Sequence, residues 1–277
     1  EFPAALDAAA KDPDEEVRKT ATRLGVQTPP AAGRPAGAVP ARGGAGDKLA
    51  ALAAVIANGT IPEKQNALAS IAGIDGRAAD EFVGRWFDDF LGGKVAPELR
   101  LDVVEAASKR AALKERVAKY EAGLDPKDDI AKWRVCLAGG SVDEGRKIFL
   151  ERAEVSCVRC HKINGEGGEV GPELGGIITR QTRDYILQSI VHPNASIAAG
   201  FESALVTLKN NTTYAGVIKS DTAEELELNS PEDGPLKIKK SDIKAREKGL
   251  SGMPEGFADQ LTRVDLRNLV EFLASLK

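Results

Sequence analysis

The segment SCVRCHKINGEGGEVGPEL, residues 156–174, concentrates most of the reactive side chains of this 277-residue chain. It places Cys157 and Cys160 three positions apart, adds His161 directly after the second cysteine, and continues into a glycine-rich loop. The whole sequence contains three cysteines and two histidines. Because three of these side chains fall within five consecutive positions, the segment predicts a site for a metal ion, a cysteine pair or a larger cofactor.

Three chemistries fit Cys157-x-x-Cys160-His161. In a c-type haem site, each thiol adds to one vinyl group of the porphyrin and the following imidazole ligates the iron, a spacing that suits one porphyrin edge. A structural zinc site needs four nitrogen or sulfur ligands, and Cys136 or His192 would have to supply the fourth. A redox dithiol usually lies at a helix N-terminus among alternating strands and helices. The sequence around these cysteines lacks that alternation, so the motif favours a haem.

A second iron ligand is predicted at Met253. Iron that transfers electrons usually carries a second protein ligand, and a methionine thioether is a common one. Met253 is the single methionine of the chain and lies in a Ser-Gly-Met-Pro turn before the last predicted helix. A lone methionine is ordinarily core filler, but a Gly/Pro turn is a poor place for core, which favours the ligand role. His192, followed by Pro193 at a predicted helix end, is the alternative.

The rest of the chain predicts a mainly α protein, in which residues 1–27 are the end of a helical repeat. Residues 28–46, rich in Pro, Gly and Ala, predict a flexible linker. Residues 47–138 predict short amphipathic helices, which must stack to bury their apolar faces, as in a HEAT-like α-solenoid or a helical bundle. The apolar faces are Leu49, Leu52, Ala53 and Ile56, then Val83, Trp86, Phe87 and Phe90, then Leu113, Val117 and Tyr120.

Residues 139–277 predict a second domain, with a further helix at about 182–191. Four short alternating runs between about 203 and 240 predict a small antiparallel sheet. Helix caps are predicted at Ser141-x-x-Glu144 and at Thr262-x-x-Asp265. The last helix is predicted to bury Leu266, Leu269, Val270 and Leu273.

This C-terminal part resembles a monohaem class I cytochrome c. The matching motifs are Gly145-x-x-x-Phe149, Cys157-Val-Arg-Cys160-His161, Gly171-Pro172-Glu-Leu174, Met253-Pro254 and Leu269-x-x-Phe272. The resemblance implies one covalent haem c with His161 and Met253 as axial iron ligands. It also implies that the Pro172 carbonyl accepts the Nδ1 hydrogen of His161 and that Leu174 lies against the porphyrin face.

The same resemblance implies that the first and last helices of the domain cross. Gly145 and Phe149 would pack against Leu269 and Phe272. Cys136 is left over once two thioethers form, and it is predicted to be a small buried apolar residue. Intermolecular pairing of Cys136 in an oxidising compartment is the alternative.

His161 and Met253 are 92 positions apart, more than a compact class I domain uses, and the strand-rich insertion accounts for the excess. With this insertion the sequence resembles the haem-binding domain of planctomycete and verrucomicrobial proteins, which follows helical repeats and propeller-type dehydrogenase domains in long secreted chains. The phrases GEVGPEL, SIVHPNA and MPEGF carry that likeness. It implies an electron carrier, fused to or serving a dehydrogenase. A peroxidase-like haem enzyme and a docking module with a structural haem are the alternatives.

The charge and the apolar pattern of the chain bear on its partners, and the haem motif bears on its cellular compartment. A net charge of −4 argues against nucleic acid, which needs a basic face. No run of about 18 apolar residues predicts a membrane span. Because haem attachment of this kind is completed outside the cytoplasm, the resemblance implies a periplasmic or otherwise exported protein with redox proteins as partners. The chain opens at Glu1 inside a helical pattern, which is typical of a fragment of a longer protein.

Overall fold

The computed structural model of the protein describes residues 45–230 and 232–277. The predicted helical-repeat end at 1–27 and most of the predicted linker at 28–46 lie outside these residues. Ala45 and Gly46, predicted as the last linker residues, instead open the first helix. Within the described residues, no helix is long and apolar enough to cross a bilayer.

The first part of the described chain is helical, as predicted, whereas the HEAT-like repeat stays a prediction. The helices are α1 (Ala45–Asn58), α2 (Ile61–Ala72), α3 (Arg77–Leu91), α4 (Arg100–Ser108) and α5 (Lys114–Ala122), with 3₁₀ turns at Pro97–Leu99, Ala111–Leu113 and Ala131–Cys136. Their predicted apolar faces are buried or half-buried.

Two contacts show how these short helices hold together. Phe87 of α3 is fully buried, and beside it the rings of Phe90 and Tyr120 meet edge to face with centroids 5.2 Å apart. Arg110, which is 7% exposed, donates from Nη1 to the Ile74 carbonyl at 2.9 Å, just beyond the end of α2. The guanidinium therefore satisfies a carbonyl near a helix terminus, where backbone acceptors lack intrahelical partners.

The second part combines helices with a sheet insertion. Its elements are α6 (Val142–Glu151), the hairpin strands β1 (Lys162–Ile163) and β2 (Glu166–Gly167), α7 (Arg183–Val191), the sheet strands β3 (Ser203–Leu208), β4 (Thr213–Asp221), β5 (Glu225–Ser230), β6 (Gly234–Lys239) and β7 (Ile243–Lys248), and α8 (Arg263–Ser275). Short 3₁₀ turns lie at Cys157–Arg159, Ile177–Thr179, Lys240–Asp242 and Phe257–Gln260.

The first and last helices of this part, α6 and α8, cross in close contact. A Cβ added to Gly145 would lie 2.0 Å from the Asn268 carbonyl oxygen, so the backbones meet where one helix has no side chain. The rings of Phe149 and Phe272 pack with centroids 5.8 Å apart. The predicted crossing is confirmed, with Asn268 as an additional contact. Asn268 also accepts the Ser141 backbone N–H at 2.9 Å, the bond that Glu144 would make in the predicted capping box.

Gly145→Ala is expected to destabilise the protein by about 3 kcal/mol, because the new methyl group must push α8 away from α6. Chemical denaturation of the purified protein measures this loss. Gly46→Ala is the control, since a Cβ there would meet no described atom within 4 Å. That control should change the free energy of unfolding by less than about 1 kcal/mol. Equal effects from the two substitutions would contradict the close crossing.

The sheet insertion has five antiparallel strands in the order β6-β5-β4-β3-β7, so the prediction of about four strands ending near residue 240 is wrong. The missed strand, β7, pairs with β3 at an open edge and reads IKAREK, which lacks an alternating apolar pattern. Charged edge strands of this kind resist pairing with other chains. Ser220 and Asp221, a polar pair of the kind that favours a turn, belong to β4 instead.

The sheet buries an apolar cluster of its own. Its buried members are Ala204, Val206, Leu226, Leu228 and Ile238. Asp221 of β4 accepts a hydrogen bond from Arg246 of β7 and forms an ion pair with Lys240, which follows β6, each at 2.6 Å. One carboxylate of the central strand therefore contacts a residue of one edge strand, β7, and a residue directly after the other, β6.

Helix α8 also binds the helical part of the chain. Arg267 Nη1 lies 2.6 Å from Asp102 Oδ2 of α4, with both side chains largely buried. Burial raises the pKa of the Asp102 carboxyl, and Arg267 opposes this shift only in part.

A second ion pair joins α7 to α8. Arg183 of α7 donates to both carboxylate oxygens of Glu271 of α8. Burial alone would raise the pKa of Glu271, but its bonds to Arg183 and to the backbone hold it below its usual value.

Candidate haem-binding site

The two cysteines and the histidine lie on one tight turn. Ser156 adopts a left-handed conformation (φ 42°), and the 3₁₀ turn Cys157–Arg159 follows it. The Cys157 carbonyl accepts both the Cys160 N–H at 3.1 Å and the His161 N–H at 3.0 Å. This winding of the backbone brings both thiols and the imidazole to the wall of the same cavity.

The glycine-rich segment after the motif wraps back over this turn. Gly168 N–H donates to the Val158 carbonyl at 2.9 Å. A Cβ on Gly168 would lie 1.8 Å from the Arg159 carbonyl oxygen, and one on Gly167 would lie 2.2 Å from the His161 carbonyl oxygen. Because backbone meets backbone at these points, only glycine fits there.

The loop that follows orients the His161 ring. The Pro172 carbonyl lies 2.9 Å from His161 Nδ1, so the predicted hydrogen bond is confirmed. This bond leaves Nε2 as the nitrogen available to a metal. A Cβ on Gly171 would lie 2.5 Å from the ring, so glycine is required beneath the imidazole. Burial lowers the pKa of His161, and the bond to Pro172 opposes this only in part. The ring is therefore neutral at pH 7, the form that binds metals.

A cavity with mostly apolar walls adjoins these residues. It encloses about 1210 Å³ of space, counted out to its mouth and therefore including open solvent. Leu174, 8% exposed, forms part of its wall. The other lining residues are mostly apolar and come from α6, α7, β4, α8 and the loops and 3₁₀ turns between elements, among them Phe149, Val155, Ile177, Ile186, Ile190, Phe201, Val217, Phe257, Leu261, Leu269 and Leu273.

Met253 also lines this cavity, on the loop between β7 and α8. The structure thus brings together all the predicted site residues: Cys157, Cys160, His161, Pro172, Leu174 and Met253. His192, the alternative iron ligand, is engaged elsewhere, because its Nε2 bonds the Asp129 carbonyl at 2.9 Å. At this point of the wall it is Pro193 that faces the cavity.

Comparison with known families agrees with this geometry. The sequence model of the cytochrome c family matches residues 142–277. The chain contains a cytochrome c domain. A search of curated proteins finds no match.

The alternatives to haem find little support in the cytochrome c domain. Within residues 45–230 and 232–277, no three His, Cys, Asp or Glu side chains lie together as a metal-binding group. Burial raises the pKa of the Cys157 thiol to about 11, whereas a redox dithiol needs a lowered pKa to supply a thiolate. Cys136 is fully buried, as predicted, and burial raises the pKa of its thiol to about 12.

The residues of the cytochrome c domain fit a covalent haem. Two thiols and a neutral imidazole lie on one wall of a large apolar cavity, and a thioether lies on the same cavity's wall. These are the donors that the family uses to attach the porphyrin and hold its iron. The low polarity of the lining matches the porphyrin ring, which is itself apolar.

Most of the wall residues were not predicted as site residues from the sequence, and three of them show why. Tyr185 lines the cavity from α7, and Phe201 and Val217 line it from the base of the sheet insertion. No local motif marks these positions, since Val217 reads as one of several alternating strand residues. The sheet insertion therefore contributes to the site, because residues at its base form part of the cavity wall.

Proposed function

We propose that this chain is an electron carrier that holds one haem c through thioethers at Cys157 and Cys160, with His161 and Met253 as the axial iron ligands. The observation that most strongly supports this proposal is that these four side chains line one large apolar cavity in a cytochrome c domain. When bound, the haem supplies reversible one-electron transfer at its iron.

The chain's own residues prepare each part of this site. The Pro172 carbonyl fixes the His161 tautomer and raises the basicity of its free nitrogen. With a histidine and a methionine as protein ligands, no coordination position stays open, which suits electron transfer better than catalysis at the iron. The apolar walls exclude water and disfavour the additional positive charge of the oxidised state, so they raise the reduction potential.

The wider setting is part of the proposal. The β insertion and the preceding helices support a domain of the planctomycete and verrucomicrobial type, with the HEAT-like helices as a scaffold within a longer, dehydrogenase-like protein. Covalent haem attachment supports an exported, periplasm-like location. The redox partners would be proteins that dock near the half-buried Cys157, where the porphyrin edge would lie closest to solvent.

Met253→Ala is expected to abolish the weak far-red absorption band that a bond between thioether sulfur and ferric iron gives. The substitution removes the sulfur and opens a coordination position, so cyanide and carbon monoxide should bind at neutral pH. Leu250→Ala is the control, since Leu250 lies on the same loop with 75% of its surface exposed. That control should keep the band. A Met253→Ala protein with an unchanged spectrum would rule out Met253 as ligand.

A further inference from the structure

The loop that carries Met253 is fixed to the rest of the domain on both sides of the methionine. Where the loop leaves β7, the Gly249 N–H donates to the Ser203 carbonyl at 2.9 Å. Next along the chain, the Ser251 N–H donates to Asn194 Oδ1 at 2.7 Å. Beyond the methionine, Glu255 Oε1 accepts from Asn194 Nδ2 at 2.6 Å.

One side chain, Asn194, therefore holds the loop two residues before and two residues after Met253. Its acceptor oxygen faces the first arm and its donor nitrogen faces the second, so the amide uses both of its hydrogen-bonding groups on the loop. Within the loop, the Ser251 hydroxyl accepts the Met253 N–H at 3.1 Å and extends the same network to the methionine backbone.

Asn194 itself stands on a fixed support. It follows Pro193, which is buried and restricts the backbone at the end of α7. His192, which precedes Pro193, bonds the Asp129 carbonyl of the helical part through its ring. The backbone carbonyl of His192 accepts the Ala195 N–H at 2.9 Å. These contacts connect α7 and the helical part to the methionine loop through Asn194.

We infer that Asn194 is a positioning residue for Met253, and that its amide keeps the thioether at the haem iron. This inference rests on the proposed haem function. Without the amide, the loop gains freedom, and the thioether leaves the iron more readily for an added ligand. The bond to Glu255 is exposed and the bond to Ser251 is partly buried, so the expected effect is about tenfold on the ligand-displacement equilibrium.

The experiment is an imidazole titration of the matured ferric protein, followed by loss of the far-red band. Asn194→Ala should bind imidazole about tenfold more tightly than the unsubstituted protein. Asn210→Ala is the matched control, because Asn210 Oδ1 also accepts a backbone N–H, that of Thr212 at 2.9 Å, in a turn of the sheet. The control should stay within about twofold of the unsubstituted protein.

A polarity swap separates positioning from general damage. Asn194→Asp keeps the acceptor for Ser251 but sets two carboxylates against each other, so it should weaken the methionine bond. Adding Glu255→Gln restores a donor opposite the new carboxylate, and the double variant should return to the unsubstituted affinity. These two variants also test the role of Asn194 if the Asn194→Ala protein cannot be produced.

The spectra distinguish a failure of the proposed methionine ligation from a failure of the role inferred for Asn194. If the unsubstituted protein carries haem but lacks the far-red band, both the methionine ligation and the role of Asn194 are overturned. If the band is present, yet Asn194→Ala and Asn194→Asp bind imidazole like the Asn210→Ala control, only the role of Asn194 is overturned.

Discussion

A Cys157→Ser, Cys160→Ser double variant is expected to carry no covalent haem. Both thiols line the cavity, and a hydroxyl cannot form the thioether that joins each side chain to the porphyrin. The measurement is a haem stain after denaturing electrophoresis of protein made with a cytochrome c maturation system. Staining should fall to background, while the single variants should keep a weaker, partly labile attachment.

Cys136→Ala is the control for this experiment. Cys136 is fully buried outside the cavity, so its removal should leave the haem stain unchanged. If the double variant stains as strongly as the unsubstituted protein, the two cysteines do not attach the haem. If Cys136→Ala loses the stain as well, the assignment of the attachment residues is wrong.

Asp102→Ala is expected to destabilise the protein by about 3–5 kcal/mol, because it leaves the buried guanidinium of Arg267 without its counter-charge. Arg267 is 5% exposed, and within the described residues its Nε already lacks a hydrogen-bond partner. The measurement is denaturant unfolding of the matured protein. The expected loss would be seen in both parts of the chain, since the pair joins α4 to α8.

Two further variants test whether the charge is the cause. Asp89→Ala removes the carboxylate of an exposed ion pair with Lys94 and should cost less than about 1 kcal/mol. A double variant, Asp102→Leu with Arg267→Met, replaces the buried pair by apolar groups and should recover most of the lost stability. If the double variant is as unstable as Asp102→Ala, the loss of stability comes from lost side-chain packing and not from the unpaired charge.

The attachment motif was readable from the sequence because its chemistry is local. Cys157, Cys160 and His161 are neighbours along the chain, and the backbone turn that joins them needs only their own carbonyls and the following glycines. The helix α6 was readable from its cap at Ser141, and α8 from its cap at Thr262 and from apolar positions that repeat at helical spacing. Met253 was predicted from a single coincidence of residue type and turn composition.

The remaining features depend on contacts that no local pattern encodes. Strand β7 has a charged sequence, and its pairing with β3 across a long separation decides its conformation. Asp102 and Arg267 are 165 positions apart and read separately as ordinary surface charges. Asn194 reads as a residue after a proline, and its role emerges only when the methionine loop folds against it.

The most direct test of the account is the visible spectrum of the purified, matured protein in its oxidised and reduced states. We expect a coloured protein with one haem per chain, sharp bands on reduction, and a far-red band in the ferric form that reports sulfur at the iron. A colourless protein, or one zinc ion per chain in place of the porphyrin, would contradict it.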